Sequence, residues 1–316
     1  MFGLAPLMAG MLNGLGGSTD DKRIEESTSA TPIEIYGPKN LRGLLRTVLG
    51  GTYTNLLGRY VVHELHFLGD VAPAYETSDL HPNELPGLNI QQTSPGIWEN
   101  FIAEDDITLS AGEITHSIPS IGYVLQERPF PGKLTYELVK IYLEHIKLHG
   151  LPKNTLSQVQ NGTIVTLPTG ETLLPPPRRP GRKIVVLGDT SDASKLIKLS
   201  QNANVIVHEA TNAYIPQLDK DATYETTEAR TISRGHSTPQ MAGKFAKACS
   251  AKVLLLNHFS ARYRDEGESI TGKSALLKEN HEQGVMAEIR DLAKAEFNGT
   301  VVCARDLWSW EINDKT

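Results

Sequence analysis

Two short apolar runs that each stop abruptly at polar residues constrain this chain more than any other feature. Residues 184–187 (Ile-Val-Val-Leu) lead into Gly-Asp189, and residues 205–207 (Val-Ile-Val) lead into His208-Glu209. Such runs are typical of strands that are buried on both faces of a sheet. A carboxylate or imidazole at the end of a buried strand is costly unless a metal, a charge or a hydrogen bond compensates it. The pattern therefore predicts a polar site along one rim of a sheet.

Three more histidines occupy comparable positions. His116 and His258 each follow an apolar, strand-like run, and His236 shortly precedes a predicted helix at 240–249 that Pro239 introduces. Imidazole and carboxylate ligands in this number suit zinc, and less specifically manganese or iron. Any one of these residues alone is more often structural, but the ordered set predicts a metal site that includes Asp189.

Length, composition and charge limit the class of protein. The chain has 316 residues, of which 39% are hydrophobic and 22% charged, as in a globular protein of one large domain or two modest ones. The net charge of −6 gives no global basic field, although a local basic patch would suffice for RNA. No apolar run approaches the ~20 residues of a membrane span. We expect Cys249 and Cys303 to be reduced core residues of an intracellular protein.

The strands and helices alternate after residue 183, which favours an α/β fold. The predicted strands are 33–37, 60–68, 107–116, 184–187, 205–208, 253–256 and a pair within 300–312. The predicted helices are 1–13, 38–49, 134–149, 194–201, 240–249 and 279–296, and 70–98 and 209–234 are expected to be loops. His63 and His66 lie three apart in a strand, where they face opposite sides, so we interpret both as structural.

Residues 128–182 change in character and resemble a projecting arm. A helix is followed by a predicted hairpin at 159–171 and by a stiff, basic, proline-rich return that contains Arg178 and Arg179. Lysine and arginine side chains here could contact phosphate. A merely solvated arm explains the same residues, and the composition does not decide between the two.

Six short motifs together resemble the tRNase Z family, the tRNA 3′-processing endonucleases of the metallo-β-lactamase superfamily. They are 115–123 (Thr-His-Ser-Ile-Pro-Ser-Ile-Gly-Tyr), 188–190 (Gly-Asp-Thr), 207–211 (Val-His-Glu-Ala-Thr), 233–238 (Ser-Arg-Gly-His-Ser-Thr), 257–263 (Asn-His-Phe-Ser-Ala-Arg-Tyr) and 304–306 (Ala-Arg-Asp). The His-Glu-Ala-Thr and Gly-His-Ser-Thr pair is specific to this branch. With the N-terminal run and the arm, the resemblance covers nearly the whole chain.

The resemblance implies an αβ/βα sandwich, two zinc ions and a role for each site residue. His116 would bind the first zinc, Asp189 would bridge both ions, and His258 would bind the second. Glu209 and His236 would form a catalytic proton relay to the leaving 3′ oxygen. His208 would be a structural neighbour of the site.

The resemblance also implies an organisation and a substrate. The expected units are 1–127 as the remnant of the first half of the metallo-β-lactamase domain, 128–182 as the tRNA-binding flexible arm, and 183–316 as the second half. Lys153, Arg178 and Arg179 would contact RNA, with pre-tRNA as partner. The protein would be an intracellular homodimer outside any membrane, placed in the cytoplasm or nucleus, with the mitochondrion as an alternative.

Two departures from the family pattern modify these expectations. The family signature His-x-His-x-Asp-His precedes a Phe-Gly-Leu-Pro stretch, and this sequence begins at that point with Met1-Phe-Gly-Leu-Ala-Pro. We therefore expect an N-terminally truncated fold in which each ion keeps two protein ligands, zinc binds poorly and cleavage is slow or absent. Residues 153–155 (Lys-Asn-Thr) replace a Pro-Gly-Pro turn, which predicts a softer tip of the arm.

Three functions stay open from the sequence. The first is a zinc-dependent endoribonuclease that removes 3′ trailers from pre-tRNA. The second is a catalytically dead RNA-binding homologue, which the presence of Asp189, Glu209, His236 and His258 disfavours. The third is another phosphodiesterase of the same fold with a small substrate, which would not need a projecting arm.

Overall fold

The computed structural model describes residues 3–12, 31–54, 56–71, 79–104, 106–133, 135–150, 152, 154–167, 170, 172–263 and 284–312. The strands are β1 (Ile33–Pro38), β2 (Tyr60–His66), β3 (Glu84–Leu85), β4 (Asn89–Gln91), β5 (Ile97–Ala103), β6 (Ile107–Ile114), β7 (Ser120–Glu127), β8 (Val165–Thr166), β9 (Thr172–Leu173), β10 (Lys183–Val186), β11 (Val205–Glu209), β12 (Val253–Asn257) and β13 (Thr300–Cys303). The α-helices are α1 (Leu4–Leu12), α2 (Leu41–Gly51), α3 (Tyr136–His149), α4 (Thr155–Gln160), α5 (Tyr224–Ser233), α6 (Pro239–Ala248) and α7 (Val285–Lys294).

A seven-stranded sheet forms the centre of the fold and takes strands from both sides of residues 128–182. Its order is β13-β12-β11-β10-β7-β6-β5. Strands β10 to β13 are parallel to one another. Strand β6 runs in the same direction as β10, because β7 is antiparallel to both. The carboxyl ends of β6, β10, β11 and β12 therefore meet at one rim, as the sequence predicts for the last three.

Both faces of strand β12 are covered, because successive side chains alternate between the two faces. Leu254 and Leu256 belong to the large core that includes Phe245 of helix α6. Val253 and Leu255 lie in a second cluster on the other face, with Trp310 packed against it. Burying each such leucine stabilises the fold by roughly 1.5–3 kcal/mol. The α/β class is confirmed. The prediction of strands buried on both faces holds for β11, but it is wrong for β10, whose Val186 is 46% exposed.

A smaller sheet is built on β2, which pairs in parallel with β1, β3 and β4. Helices α1 and α2 cover it through a cluster that contains Met8 and Leu12 of α1 and Leu45 and Leu49 of α2. The predicted N-terminal helix is therefore confirmed over Leu4–Leu12, where it packs on this core.

Residues 128–182 have a small core of their own. Tyr142 of helix α3, Val159 of helix α4 and Leu173 of strand β9 pack together in it. At the base of the segment, Phe130 and Arg179 exchange two backbone hydrogen bonds of 3.0 Å. The predicted helix is confirmed as α3, and the predicted hairpin is reduced to the two-residue strands β8 and β9, because its first residues belong to α4.

Several predicted boundaries differ from the structure. Pro38 closes strand β1 and does not open a helix, and Asn40 in the left-handed region precedes helix α2. The predicted loop 70–98 contributes β3 and β4, and the second predicted loop contains helix α5. The predicted helix at 194–201 is only a 3₁₀ turn at Ser194–Leu196, and 304–312 do not form a strand. The ends of two predicted helices, residues 1–2 and 13 of the first and 279–283 of the last, lie outside the described residues.

Two further predictions concern the cysteines and the membrane. Cys249 and Cys303 are both free and buried, which confirms their assignment to the core. Burial raises the pKa of the Cys249 thiol to about 12 and that of Cys303 to about 11. Among the described residues, no helix combines the length and the apolar character that crossing a membrane requires.

Candidate active site

The rim of the seven-stranded sheet carries four of the predicted site residues. His116 follows β6, Asp189 follows β10, Glu209 ends β11 and His258 follows β12 directly. Since these strands point the same way, the polar residues at their ends collect at a single edge. The residues that the sequence analysis assigned to zinc therefore lie together, and so does one member of the predicted relay.

His236 joins this group from the loop between helices α5 and α6. Gly235 has a φ of +80°, a conformation that glycine adopts without steric cost. A Cβ at Gly235 would lie 2.6 Å from Nδ1 of His116, so the close approach of the loop also requires glycine. Thr238 then caps helix α6 in a capping box, with Pro239 in the first turn. The glycine turn and the capped helix together fix the position of His236.

The three imidazoles and one carboxylate form a compact cluster. The His236 ring centroid lies 5.0 Å from that of His116 and 5.4 Å from that of His258. Nε2 of His258 lies 3.4 Å from Oδ2 of Asp189, and these two side chains are 46% and 40% exposed. His258 has a φ of +55°, which is uncommon outside glycine and is concentrated at functional sites. The cluster is therefore open to a ligand on one side.

Glu209 holds the buried side of the cluster together. Its side chain is 1% exposed, and Oε1 accepts a hydrogen bond of 2.5 Å from the Thr190 backbone N–H. Oε2 accepts the hydroxyl of Thr211, and Nδ1 of His236 lies 3.1 and 3.2 Å from the two carboxylate oxygens. Three donors from three loops therefore converge on one buried carboxylate, which fixes the orientation of His236.

The donors in this cluster fit zinc. Two groups of three residues each offer ligand atoms within 4.8 Å of one another, and they share His236. The first group adds His116 and Asp189, and the second adds Glu209 and His258. Imidazole nitrogen and carboxylate oxygen are ordinary zinc ligands. Glu209 already accepts three hydrogen bonds from the protein, so its carboxylate is satisfied without a metal.

In each imidazole of the cluster, Nδ1 already contacts an oxygen of the protein. Nδ1 of His116 lies 2.8 Å from the carbonyl oxygen of Gly235, and Nδ1 of His258 lies 2.7 Å from Oγ1 of Thr211. Nδ1 of His236 faces Glu209. This leaves Nε2 of each ring for a metal or a substrate, as is usual for zinc-binding histidines.

An ion pair braces the two loops that follow β11 and β12. Arg262 Nη1 lies 2.7 Å from Asp219 Oδ1, and Nη2 lies 2.9 Å from Oδ2. Hydrogen bonding to Arg262 lowers the pKa of the Asp219 carboxyl. The hydroxyl of Tyr263 bonds to the backbone N–H and C=O of Ala213. These contacts tie the loop that carries Thr211 to the loop that carries His258.

The other histidines singled out by the sequence have structural surroundings. The buried ring of His208 packs 5.6 Å from that of Phe245, and Nδ1 contacts the Glu209 carbonyl. Burial lowers the pKa of His208. His63 and His66 are buried in strand β2 and belong to no candidate metal group among the described residues.

The two arginines predicted to contact RNA lie in the arm and not in the cluster. Arg178 is exposed, whereas Arg179 is half-buried with its guanidinium carbon 5.8 Å from the Phe130 ring centroid. Arg179 thus contributes to the base of the arm. Lys153 lies outside the described residues.

His116 lines a groove of about 370 Å³, and Glu113, Ser117, Ile118 and Lys195 contribute to its walls. Its volume lies within the usual range of ligand-binding pockets. Lys195 is ion-paired with Glu113 in the wall.

Thr211 and Gly235 lie within the family-like motifs, but the sequence alone assigns a role to neither. Thr211 contacts both Glu209 and His258, and the carbonyl oxygen of Gly235 contacts Nδ1 of His116. One signal was available for Thr211, because residues two apart in an extended segment point to the same side. The Gly235 contact is tertiary and has no signal in the local sequence.

The chain is similar in sequence to characterised relatives. It is 34% identical over 281 residues to the human zinc phosphodiesterase ELAC protein 1, covering 84% of this chain and 70% of the human protein. It is 36% identical to the Bos taurus protein of the same name, covering 74% and 63%, and 31% identical to a ribonuclease Z of Microcystis aeruginosa, covering 83% and 65%. The chain thus spans 63% to 70% of the length of these relatives.

No family model matches the chain. The crystal structure of the short form of human tRNase Z matches with a TM-score of 0.49 at 27% identity, over 83% of this chain and 69% of that one. The sequence identity to the human protein, over more than two thirds of its length, is what decides the family. The chain belongs to the tRNase Z family of the metallo-β-lactamase superfamily.

Proposed function

We propose that this chain is a zinc-dependent endoribonuclease that removes 3′ trailers from pre-tRNA. One observation carries the proposal: the buried Glu209 carboxylate holds His236 beside a rim of His116, Asp189 and His258. Metal-assisted hydrolysis of a phosphodiester uses a general acid that lies next to the metal site. Relatives named ribonuclease Z and zinc phosphodiesterase support the reaction and the metal.

In this proposal His116, Asp189 and His258 would hold zinc, with Asp189 shared between two ions. Zinc, when bound, supplies Lewis-acid stabilisation of the charge that develops on the scissile phosphate. That two ions bind is itself part of the proposal, because the described residues offer few ligands for two ions.

The role of His236 follows from its hydrogen bond. With Nδ1 held by Glu209, Nε2 is the nitrogen left to deliver a proton to the 3′ oxygen that leaves. Glu209 would act by orienting the ring, as the carboxylate of a hydrolase triad does. The groove beside His116 would receive nucleotides next to the scissile bond.

Residues 128–182 would form the tRNA-binding arm, between two parts of the catalytic domain at 1–127 and 183–316. Its independent core around Tyr142 and Leu173 and its exposed Arg178 support this assignment. Lys153, and Arg179 at the base of the arm beside Phe130, would also contact RNA. A homodimer, in which one arm presents tRNA to the other site, is proposed from the family resemblance, and sedimentation measurements would test it.

The direct test is to incubate the purified chain with zinc or manganese and a 3′-extended pre-tRNA. We expect slow cleavage next to the discriminator nucleotide that leaves a 3′-hydroxyl on the tRNA. His236→Ala and His258→Ala should each abolish it, whereas Asp291→Asn, on the exposed face of helix α7, should not. Cleavage that survives both histidine changes would remove the assigned site.

A second measurement separates the alternatives. Pre-tRNA binding without any cleavage would favour the RNA-binding homologue. Hydrolysis of a small phosphodiester with no binding of pre-tRNA would favour another phosphodiesterase of this fold.

A further inference from the structure

Thr211 lies between the two functional halves of the site. Its hydroxyl contacts Oε2 of Glu209 on one side and lies 2.7 Å from Nδ1 of His258 on the other. Glu209 is the relay carboxylate and His258 is a proposed zinc ligand. No other described side chain is hydrogen-bonded to both of these residues.

The chemistry of the three groups fixes the direction of both hydrogen bonds. A hydroxyl has one hydrogen to donate, and a carboxylate oxygen can only accept. The Thr211 hydrogen therefore goes to Glu209. The hydroxyl oxygen must then accept from His258, so Nδ1 of His258 carries the hydrogen and Nε2 carries the lone pair.

The surroundings keep this chain in place. Oε1 of Glu209 accepts the Thr190 backbone N–H, so the carboxylate is anchored independently of Thr211. The backbone of Thr211 donates to the Ser237 carbonyl at 3.0 Å and accepts from the Ser260 N–H at 3.0 Å. The threonine is thus held by its main chain to the loops of both His236 and His258, which leaves its hydroxyl little freedom to choose other partners.

We propose that Thr211 is a positioning residue that sets the tautomer of His258, so that Nε2 is presented to zinc. Through Thr211, the same buried carboxylate orients the proton donor His236 and the ligand His258. The inference rests on the proposed function only in naming zinc, because the tautomer is a property of the metal-free protein. Outer-shell partners of this kind typically change metal affinity by about 10–100-fold when they are removed.

The tautomer can be measured directly by two-bond ¹H–¹⁵N correlation spectra of metal-free protein labelled in its histidines. The His258 signals are identified by their loss in His258→Gln. We expect the wild-type ring to carry its hydrogen on Nδ1. A wild-type ring with its hydrogen on Nε2 overturns the proposal, whatever the behaviour of any variant.

Two variants then test the role of the hydroxyl. Thr211→Val keeps the branched shape and removes the hydroxyl, and Thr211→Ser keeps the hydroxyl. We expect Thr211→Val to shift His258 to a mixture of tautomers and to weaken zinc binding about 10–100-fold in competition with a chromogenic chelator. Thr211→Ser should retain the wild-type tautomer and affinity. A pure Nδ1–H ring with unchanged zinc affinity in Thr211→Val would contradict the proposal.

The tautomer of His258 can be decided even if the Thr211→Val variant misfolds. If the circular dichroism of Thr211→Val departs from that of the wild type, the wild-type spectrum and Thr211→Ser decide alone. Cleavage of pre-tRNA enters none of these readouts. A chain that never cleaves RNA can therefore still show the tautomer, and a chain that cleaves RNA can still lack it.

Discussion

Gly235 positions two site residues at once. Its carbonyl oxygen contacts Nδ1 of His116, and its left-handed backbone turns the chain so that His236 faces the same cluster. An alanine methyl group here would lie 2.6 Å from that nitrogen and 2.9 Å from the backbone nitrogen of Ser117. Neither position is the free end of a flexible chain, so the neighbours would have to move.

Gly235→Ala is therefore expected to damage the site more than the fold. The left-handed conformation costs an alanine roughly 1–2 kcal/mol, and displacement of His116 should weaken zinc binding at least about tenfold. Thermal unfolding and chelator competition measure the two effects. Gly43→Ala is the control, because it places a methyl group in open space on helix α2. Equal zinc affinity in both variants would show that the tight approach of Gly235 is not required.

His208 makes the stability of the fold depend on pH. Burial lowers its pKa in the folded state, while in the unfolded chain the pKa is about 6.5. The unfolded state therefore binds a proton first as the pH falls, so this stability is present above about pH 6.5 and is lost below it. The loss is up to about 1.4 kcal/mol per pH unit.

His208→Gln should flatten that dependence. Urea unfolding at pH 7.5 and 5.5 measures it, with the pH 7.5 value showing the cost of the substitution itself. His63 and His81 also have a pKa lowered by burial, so some pH dependence should persist. If the two proteins lose the same free energy between these pH values, His208 is not held neutral by the fold.

Among the elements, helix α6 links packing to the site. It buries Ala242, Phe245 and Ala246 in the main core, and its capping box begins two residues after His236. Helix α5 also has a capping box with a threonine hydroxyl, at Thr223, which lies at the end of α5 remote from His236. The two caps share the threonine hydroxyl, but Thr238 is buried beside the loop of His236 and Thr223 is exposed.

Thr238→Ala and Thr223→Ala should each lower stability by about 1 kcal/mol, because each removes a hydroxyl that caps a helix. Only Thr238→Ala should also reduce pre-tRNA cleavage, since its cap holds the loop of His236. Urea unfolding gives the first quantity and single-turnover cleavage the second. A similar loss of cleavage in Thr223→Ala would assign the effect to general destabilisation.

These two helices also show what the sequence could and could not predict. Pro239 after Thr238 marks the start of α6, and its apolar residues recur at helical spacing. Helix α5 buries only Thr227 and Thr231, so it has no apolar period and was predicted to be a loop. The prediction of a helix at 194–201 is also wrong. Leu196 is buried, but the chain then turns back at Asn202, whose N–H donates to the Cys249 carbonyl.

At the scale of the whole molecule, the shared direction of the strands brings most of the site residues together. Polar ends on buried strands were visible in the sequence, and parallel pairing brings such ends to one rim. The partners of each side chain were not visible. The contact of His116 with Gly235 joins two segments that are distant in the sequence. Only the folded chain shows that the Glu209 carboxylate accepts hydrogen bonds from Thr190, Thr211 and His236 together.

The arm offers the test that involves the whole molecule. Because Phe130 and Arg179 form a reciprocal backbone hydrogen-bonded pair, a two-residue Asn-Gly turn can replace 131–178 without disturbing the sheet. The deletion removes the small core of the arm as a unit, with the exposed Arg178. We expect pre-tRNA binding, measured by fluorescence anisotropy, to weaken by about tenfold or more, since contacts to phosphate dominate the affinity for nucleic acid.

Hydrolysis of bis(p-nitrophenyl) phosphate should be unchanged by the same deletion, because the rim residues keep their strands. The salt dependence of pre-tRNA binding should also become shallower, since fewer phosphates are neutralised. A single Arg178→Gln substitution should weaken binding in the same direction and to a smaller extent. An equal loss on the small phosphodiester and on pre-tRNA would mean that the segment supports the catalytic domain and does not grip RNA.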